Sequence, residues 1–182
     1  MPDEALMAAC KQGNHAAFDE LMTRYNRAVT NFIYRYVNDY ELTKELVQET
    51  FVAVFKAVGK YEPQAKFTTW LFSIARNQAL KARRTAARHP TDVLPFDEGT
   101  EHVFRPGEEE TGRPDQNAIR AEDCRRFTAA FAQLPDIYQE VVRLRVFQDL
   151  PHAEIARILA VQEATVRSRM RDALKRLHAA MG

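Results

Sequence analysis

The sequence predicts an all-α protein made of two small helical domains joined by an acidic flexible linker. Apolar residues recur at helical spacing on both sides of residue 90, and no stretch shows the period-two alternation of a strand. Between residues 89 and 115 that periodicity stops. The segment holds Pro90, Pro95, Pro106 and Pro114, three glycines and the run Glu108-Glu109-Glu110, the composition of a linker. The last third closes on two helices separated by only Ala160-Val161-Gln162, the spacing of a helix-turn-helix. The domains expected are residues 1–90, a linker over 91–115, and residues 116–182.

In chain order, Asp3 is expected to cap a helix running to Lys11, which Gly13 ends. A long helix over 15–37 carries Phe18, Leu21, Met22, Tyr25, Val29, Phe32, Ile33 and Tyr36 as its buried stripe. After the turn Asn38-Asp39-Tyr40, a helix over 41–58 offers Leu42, Leu46, Val47, Thr50, Val54 and Ala57 for packing. Pro63 fixes a loop over 60–66, and Thr68 or Thr69 is expected to cap a fourth helix running past Arg84. Beyond the linker, helices are expected over 116–133 and 135–146.

The closing pair organises the chain. Pro151 suits a first helical position, and Ile155, Ala156 and Leu159 share a face. On the second helix Val166, Met170, Ala173 and Leu177 form a narrow apolar stripe. The opposite face carries Ala164, Arg167, Ser168, Arg171, Asp172 and Lys175. Small and basic residues near a helix start suit major-groove reading, because Arg bonds guanine bidentately and small side chains let the backbone approach. An ordinary amphipathic pair with a solvated basic face shows the same spacing.

Composition excludes several classes. No apolar run among the 182 residues approaches the ~20 needed to span a bilayer. Only Cys10 and Cys124 are present, and the start M-P-D-E-A-L has no signal-peptide pattern, so a cytoplasmic location is expected. The net charge of +1 hides a pattern. Residues 1–90 are net +4, residues 91–118 net −6 and residues 119–182 net +3. Basic ends around an acidic connector point to nucleic-acid contact by the ends. His15, His89, His102, His152 and His178 are scattered. No metal-ligand pair, phosphate-binding glycine loop or nucleophile elbow occurs, so no enzyme activity, metal or cofactor is implied.

Six fragments in order resemble one family. They are G-N-H-A-A-F-D-E-L, E-L-V-Q-E-T-F-V-A-V-F and F-T-T-W-L-F-S-I-A-R-N before the linker. After it come L-P-D-I-Y-Q-E-V-V-R-L-R, L-P-H-A-E-I-A-R-I-L and A-T-V-R-S-R-M-R-D-A-L-K-R-L. The chain resembles the extracytoplasmic-function sigma factors of bacterial RNA polymerase, which carry a sigma-2 and a sigma-4 domain on a linker. The resemblance implies an alternative sigma factor that binds core polymerase and directs promoter-specific initiation. On it, Leu46, Gln48, Glu49, Phe51 and Phe55 would dock on the clamp of the largest polymerase subunit. Phe51 and Phe55 lie off the stripe assigned to the core. Tyr61, Lys66, Phe67, Trp70, Arg76, Asn77, Lys81, Arg83 and Arg84 would meet the −10 element, since aromatic faces beside cations are what single-stranded DNA requires. Arg167, Ser168 and Arg171 would read the −35 element, with Thr165, Arg169, Lys175, Arg176 and Arg143 beside them at the DNA. The acidic linker would thread toward the polymerase active site, and an anti-sigma protein is a partner the family often has.

Two departures from the family pattern matter. Lys44 stands where a carboxylate is typical, beside Thr43 and Thr50. The expectation is that unmodified protein binds core polymerase poorly and that a Ser/Thr kinase restores negative charge at Thr43 or Thr50. Asp172 replaces a usual basic residue, so the −35 sequence cannot be carried over. Two other readings fit parts of the chain: a helix-turn-helix regulator acting without polymerase, and an interaction module without DNA binding.

Overall fold

The computed structural model describes residues 1–62, 65–88 and 114–182, with side chains described for all of these but 87, 88 and 114–121. The described residues form helices and no strand. They divide into an N-terminal and a C-terminal compact unit. The linker expected over 91–115 lies outside the described residues except at 114 and 115, which belong to the first turn of the next helix rather than to a linker.

The N-terminal unit contains α1 (Asp3–Lys11), α2 (His15–Val37), α3 (Tyr40–Ala57) and α4 (Phe67–Arg88), with a 3-10 turn at Val58–Lys60. Asn14 caps α2 by accepting from the Ala17 N–H, and Asp39 caps α3 by accepting from the Leu42 N–H at 2.8 Å. Asn38 ends α2 at φ 52°, a left-handed conformation that asparagine tolerates better than most residues. Two expected caps are corrected. Asp3 does not cap α1; its carboxylate accepts from Arg24 Nη1 and the Tyr25 hydroxyl on α2 instead. Thr68 and Thr69 lie inside α4, because the Lys66 carbonyl already accepts from the Trp70 N–H at 3.3 Å.

The helices α2, α3 and α4 pack on one another, with α1 across α2 and α4. Their core holds Leu21, Val29, Phe32, Ile33, Val54, Leu71 and Phe72. The Phe32 ring meets Phe72 edge-on at 5.1 Å, an arrangement aromatic quadrupoles favour. Met22, expected in the buried stripe, stands at the surface.

After residue 113 come α5 (Pro114–Ala132), α6 (Asp136–Val142), α7 (His152–Leu159) and α8 (Glu163–Met181), and the C-terminal unit takes all of these but Arg157–Ala160. The helix expected over 135–146 does not continue as α-helix. It passes at Arg143–Phe147 into a π-helical turn, an expansion that frequently marks functional sites. Helix α8 packs on α5 and α6 around Ala130, Leu134, Val142, Ala173 and Leu177, with Phe127, Phe131 and Phe147 at the margin. The turn before α8 is tight because the Val161 N–H reaches back to the Ala156 carbonyl at 3.0 Å, with Ala160 at φ 53°.

Candidate functional site

Three surfaces emerge from these elements. The first is an apolar groove on α2 and α3. Helical spacing places Gln48, Val52, Phe55 and Lys56 together on the outer side of α3, facing Phe18, Met22 and Asn26 of α2. Phe55 is 48% exposed and Val52 50% exposed. The Phe55 ring stacks on His15 at 5.9 Å and meets the edge of Phe18 at 5.1 Å. Of the residues expected at the clamp, Gln48, Glu49 and Phe55 are exposed. Leu46 and Phe51 are 5% exposed each and face inward, so the placement of Phe51 off the core is corrected. The helix has two inward neighbours on either side of it, Val47 and Val54, and the interior claims the larger ring as well. Val52 and Met22 were missed by sequence reasoning. Val52 sits four residues after Gln48 and three before Phe55, so the helical wheel of α3 carried its signal.

The charge departure at Lys44 has a local answer. Its ammonium bonds the Glu41 carboxylate at 2.9 Å and lies 4.8 Å from the Tyr40 ring centroid. The bond to Glu41 holds Lys44 protonated above the ordinary lysine value. Thr43 and Thr50 are fully buried, and their hydroxyls donate to the Asp39 and Leu46 carbonyls. Thr43 in the first turn of α3 and Thr50 in its middle both face the interior, so the folded unit offers neither hydroxyl to a kinase. The expected modification sites are corrected on that ground.

The second surface runs along α4. Trp70, Asn77, Lys81 and Arg84 fall on one line at 100° per residue, about 21 Å long at 1.5 Å rise. Trp70 and Arg76 are partly exposed, and Lys66, Asn77, Lys81 and Arg84 are exposed. Tyr61 and Phe67 are not stacking platforms. They are 3% and 1% exposed, and their rings pack with Trp70 at 5.2 and 6.2 Å. Phe67 also meets Tyr25 at 5.4 Å. Bulky rings at a chain reversal are drawn inward because burial of each removes a large apolar area from water. Burial and the bond to Asp3 push the Tyr25 hydroxyl well above the ordinary tyrosine value, so it stays a neutral donor.

The third surface is the outer face of α8. Ala164, Arg167, Ser168, Arg171 and Lys175 are exposed, Thr165, Arg169 and Asp172 are partly exposed, and Val166, Ala173 and Leu177 are buried beneath. Glu163 pairs with Arg167 at 3.3 Å. Arg176 lies 5.1 Å from the Tyr138 ring. Arg143, expected at phosphate, is 5% exposed and faces inward. Its Nη2 donates to Gln139 Oε1 at 2.6 Å and its guanidinium stacks 5.2 Å from the Phe131 centroid. Gln139 in turn donates to the Leu134 carbonyl at 2.8 Å, tying the α5–α6 turn. The hydrogen bond to Gln139 engages this guanidinium in the interior. Its i, i+4 spacing was the only mark it left in the sequence.

Among the described residues no group of three or more His, Cys, Asp or Glu could hold a metal, and no helix is long and apolar enough to cross a membrane.

Comparison with known proteins decides the family. The family model described as Sigma-70 region 2 matches residues 21–89, and that described as Sigma-70, region 4 matches residues 124–177. The RNA polymerase sigma-H factor of Pseudomonas aeruginosa is 29% identical over 174 residues, covering 92% of this chain and 88% of that protein. The chain belongs to the extracytoplasmic-function sigma factors. The ECF RNA polymerase sigma-E factor of Haemophilus influenzae is 28% identical over 177 residues, covering 93% of this chain and 90% of its own length. Among solved structures, CnrH in complex with the cytosolic domain of CnrY shares the fold at TM-score 0.70, with 24% identity and coverage of 97% and 95%. The sigma factor RpoE of Bartonella quintana, in complex with the anti-sigma factor NepR, shares it at TM-score 0.67, with 20% identity and coverage of 90% and 96%. In this sigma factor the groove and the α4 line sit within the region 2 match, apart from Phe18 at the groove's margin. The basic face of α8 sits within the region 4 match, and α1 precedes both.

Proposed function

We propose that this sigma factor docks on the clamp of core RNA polymerase through the α2–α3 groove, meets the −10 element along α4, and reads the −35 element with α8. The observation that carries the reading is the coexistence of two kinds of surface outside the helix-turn-helix. A duplex-binding regulator needs the basic face of α8 alone. It has no use for an exposed Phe55–Val52 groove or for the Trp70–Arg84 line. Single-stranded DNA would stack on Trp70 and track Asn77, Lys81 and Arg84, with Lys66 and Arg76 at the flank. Arg167, Ser168 and Arg171 would meet base edges, with Thr165, Arg169 and Lys175 at the backbone. The protein itself makes and breaks no covalent bond. It acts in the cytoplasm, where polymerase and promoter DNA are its partners. An anti-sigma chain is a further partner, as both fold neighbours are described in complex with another chain. The domain limits proposed are residues 1–90 and 116–182, with the acidic segment between them as connector.

The docking step needs no modification, because Glu41 offsets Lys44 and the Thr43 and Thr50 hydroxyls are interior. Unmodified protein is therefore expected to co-elute with core polymerase in gel filtration. Separate elution of the two would overturn the docking assignment.

At the other end, Arg171→Ala removes an exposed guanidinium from α8 without touching the core. Loss of one base contact costs about 1–3 kcal/mol, so transcription from a −35-dependent promoter should fall roughly 5- to 150-fold. Thermal unfolding should be unchanged, and an equal drop from promoters with a scrambled −35 element would remove Arg171 from base reading.

A further inference from the structure

The first turn of α8 carries a carboxylate on a face otherwise suited to DNA. Glu163 opens the helix, and its Oε1 pairs with Arg167 Nη2 at 3.3 Å. Gln162, just before it, makes no side-chain cap. At 100° per residue Glu163, Arg167, Arg171 and Lys175 form one slanting row along the outer face, and all four are exposed. Among the described residues Arg167 has an ion-pair partner on this row, and Arg171 and Lys175 have none. An acidic side chain in a first turn suits the helix dipole, but on a DNA face it also stands against phosphate. An exposed i, i+4 pair adds little to stability. Its consequence lies in where it holds the guanidinium. Helical side chains lean toward the N-terminus, and the pair draws Arg167 toward the end of a recognition helix that contacts base edges.

We propose that Glu163 is a positioning residue that turns Arg167 away from the phosphate backbone and onto a base edge, and that it thereby sets a base preference within the −35 element. This rests on the proposed reading of the −35 element by α8. A long, mobile guanidinium beside DNA satisfies itself on phosphate, which carries no sequence information. Glu163 opposes that outcome in two ways. Its charge disfavours phosphate at this end of the helix, and its bond to Nη2 fixes the guanidinium before DNA arrives. A guanidinium has several N–H donors, so one bond to Glu163 still leaves a fork for a guanine edge. The pair also strengthens when DNA displaces water around it, because the screening that weakens it in solution is lost.

The test uses the full chain assembled with core polymerase, transcribing a promoter library randomised across the −10 and −35 elements, with products read by sequencing. Glu163→Gln keeps the size of the side chain and removes its charge. Arg167→Ala marks the −35 positions that Arg167 reads. The expected result for E163Q is a loss of about fivefold in base preference at those same positions, with −10 preference and co-elution with core unchanged. Unrelated duplex should compete for the E163Q holoenzyme at least as well as for wild type, because an anion beside phosphate has been removed. In an R167A background E163Q should change nothing further, the signature of one residue acting through the other. An E163Q profile identical to wild type would overturn the proposal. So would an equal loss from E163Q in the R167A background, since Glu163 would then act on its own. Equal flattening at both elements with weaker co-elution would overturn it as a general fold defect. R167A holoenzyme that kept its full −35 preference would instead overturn the base reading on which the proposal rests.

Discussion

Phe67→Ala should destabilise the N-terminal unit by about 3–5 kcal/mol, the range for deleting a fully buried aromatic ring. Phe67 is 1% exposed and is enclosed by Tyr25, Tyr61 and Trp70. Its removal leaves a cavity between rigid rings that cannot collapse far, so the loss should lie toward the upper end. A small domain has roughly 5–15 kcal/mol to lose, and the variant should be close to unfolding at growth temperature. Urea denaturation of the full chain, followed by circular dichroism, would show an early transition whose midpoint moves while the second unit's does not. Promoter opening would fall with it, but as a consequence of unfolding. If the variant instead unfolded like wild type and lost only its grip on single-stranded DNA, Phe67 would be a surface stacking residue, as its place beside cations in the sequence implied.

Phe55→Asp should abolish co-elution with core polymerase while leaving stability nearly unchanged. The ring is half exposed at the middle of the α2–α3 groove, and it covers Phe18 and His15 without sealing the core. Aromatic residues at the centre of an apolar interface commonly carry 2 kcal/mol or more, so a weakening of about 30-fold or greater is expected. A carboxylate there adds the cost of burying a charge against an apolar partner. The same change at Phe51 would unfold the unit, because that ring is interior. Core binding that survived Phe55→Asp would move the interface off this groove. The pair Phe51 and Phe55 therefore separates packing from docking on a single helix, one turn apart.

The two units differ in what holds their functional faces. Helix α8 presents its basic face from a scaffold of α5 and α6 whose interior includes a hydrogen-bonded Arg143 and Gln139. Removing Gln139 would take a hydrogen-bond partner from a buried guanidinium, so the two residues are coupled inside the unit. The N-terminal unit relies instead on ring packing around Phe67 and on the reach of α1 across to Tyr61.

The sequence by itself determined the all-α class, the places of its helices, the family, and which positions of α8 face outward. Each depends on local periodicity and short-range order, which survive in one dimension because a helix repeats every 3.6 residues whatever it packs against. It also marked the break between the periodic halves. Tertiary structure alone decided which of the chemically suitable side chains are available. Phe51, Tyr61, Phe67, Thr43 and Arg143 all read as surface groups and all lie inside, whereas Met22 reads as core and lies at the groove. An aromatic, a hydroxyl or a guanidinium carries the same chemistry in either place. Whether it faces water depends on neighbours far away in the chain, such as Lys11 fifty residues from Tyr61, and no local pattern encodes that distance.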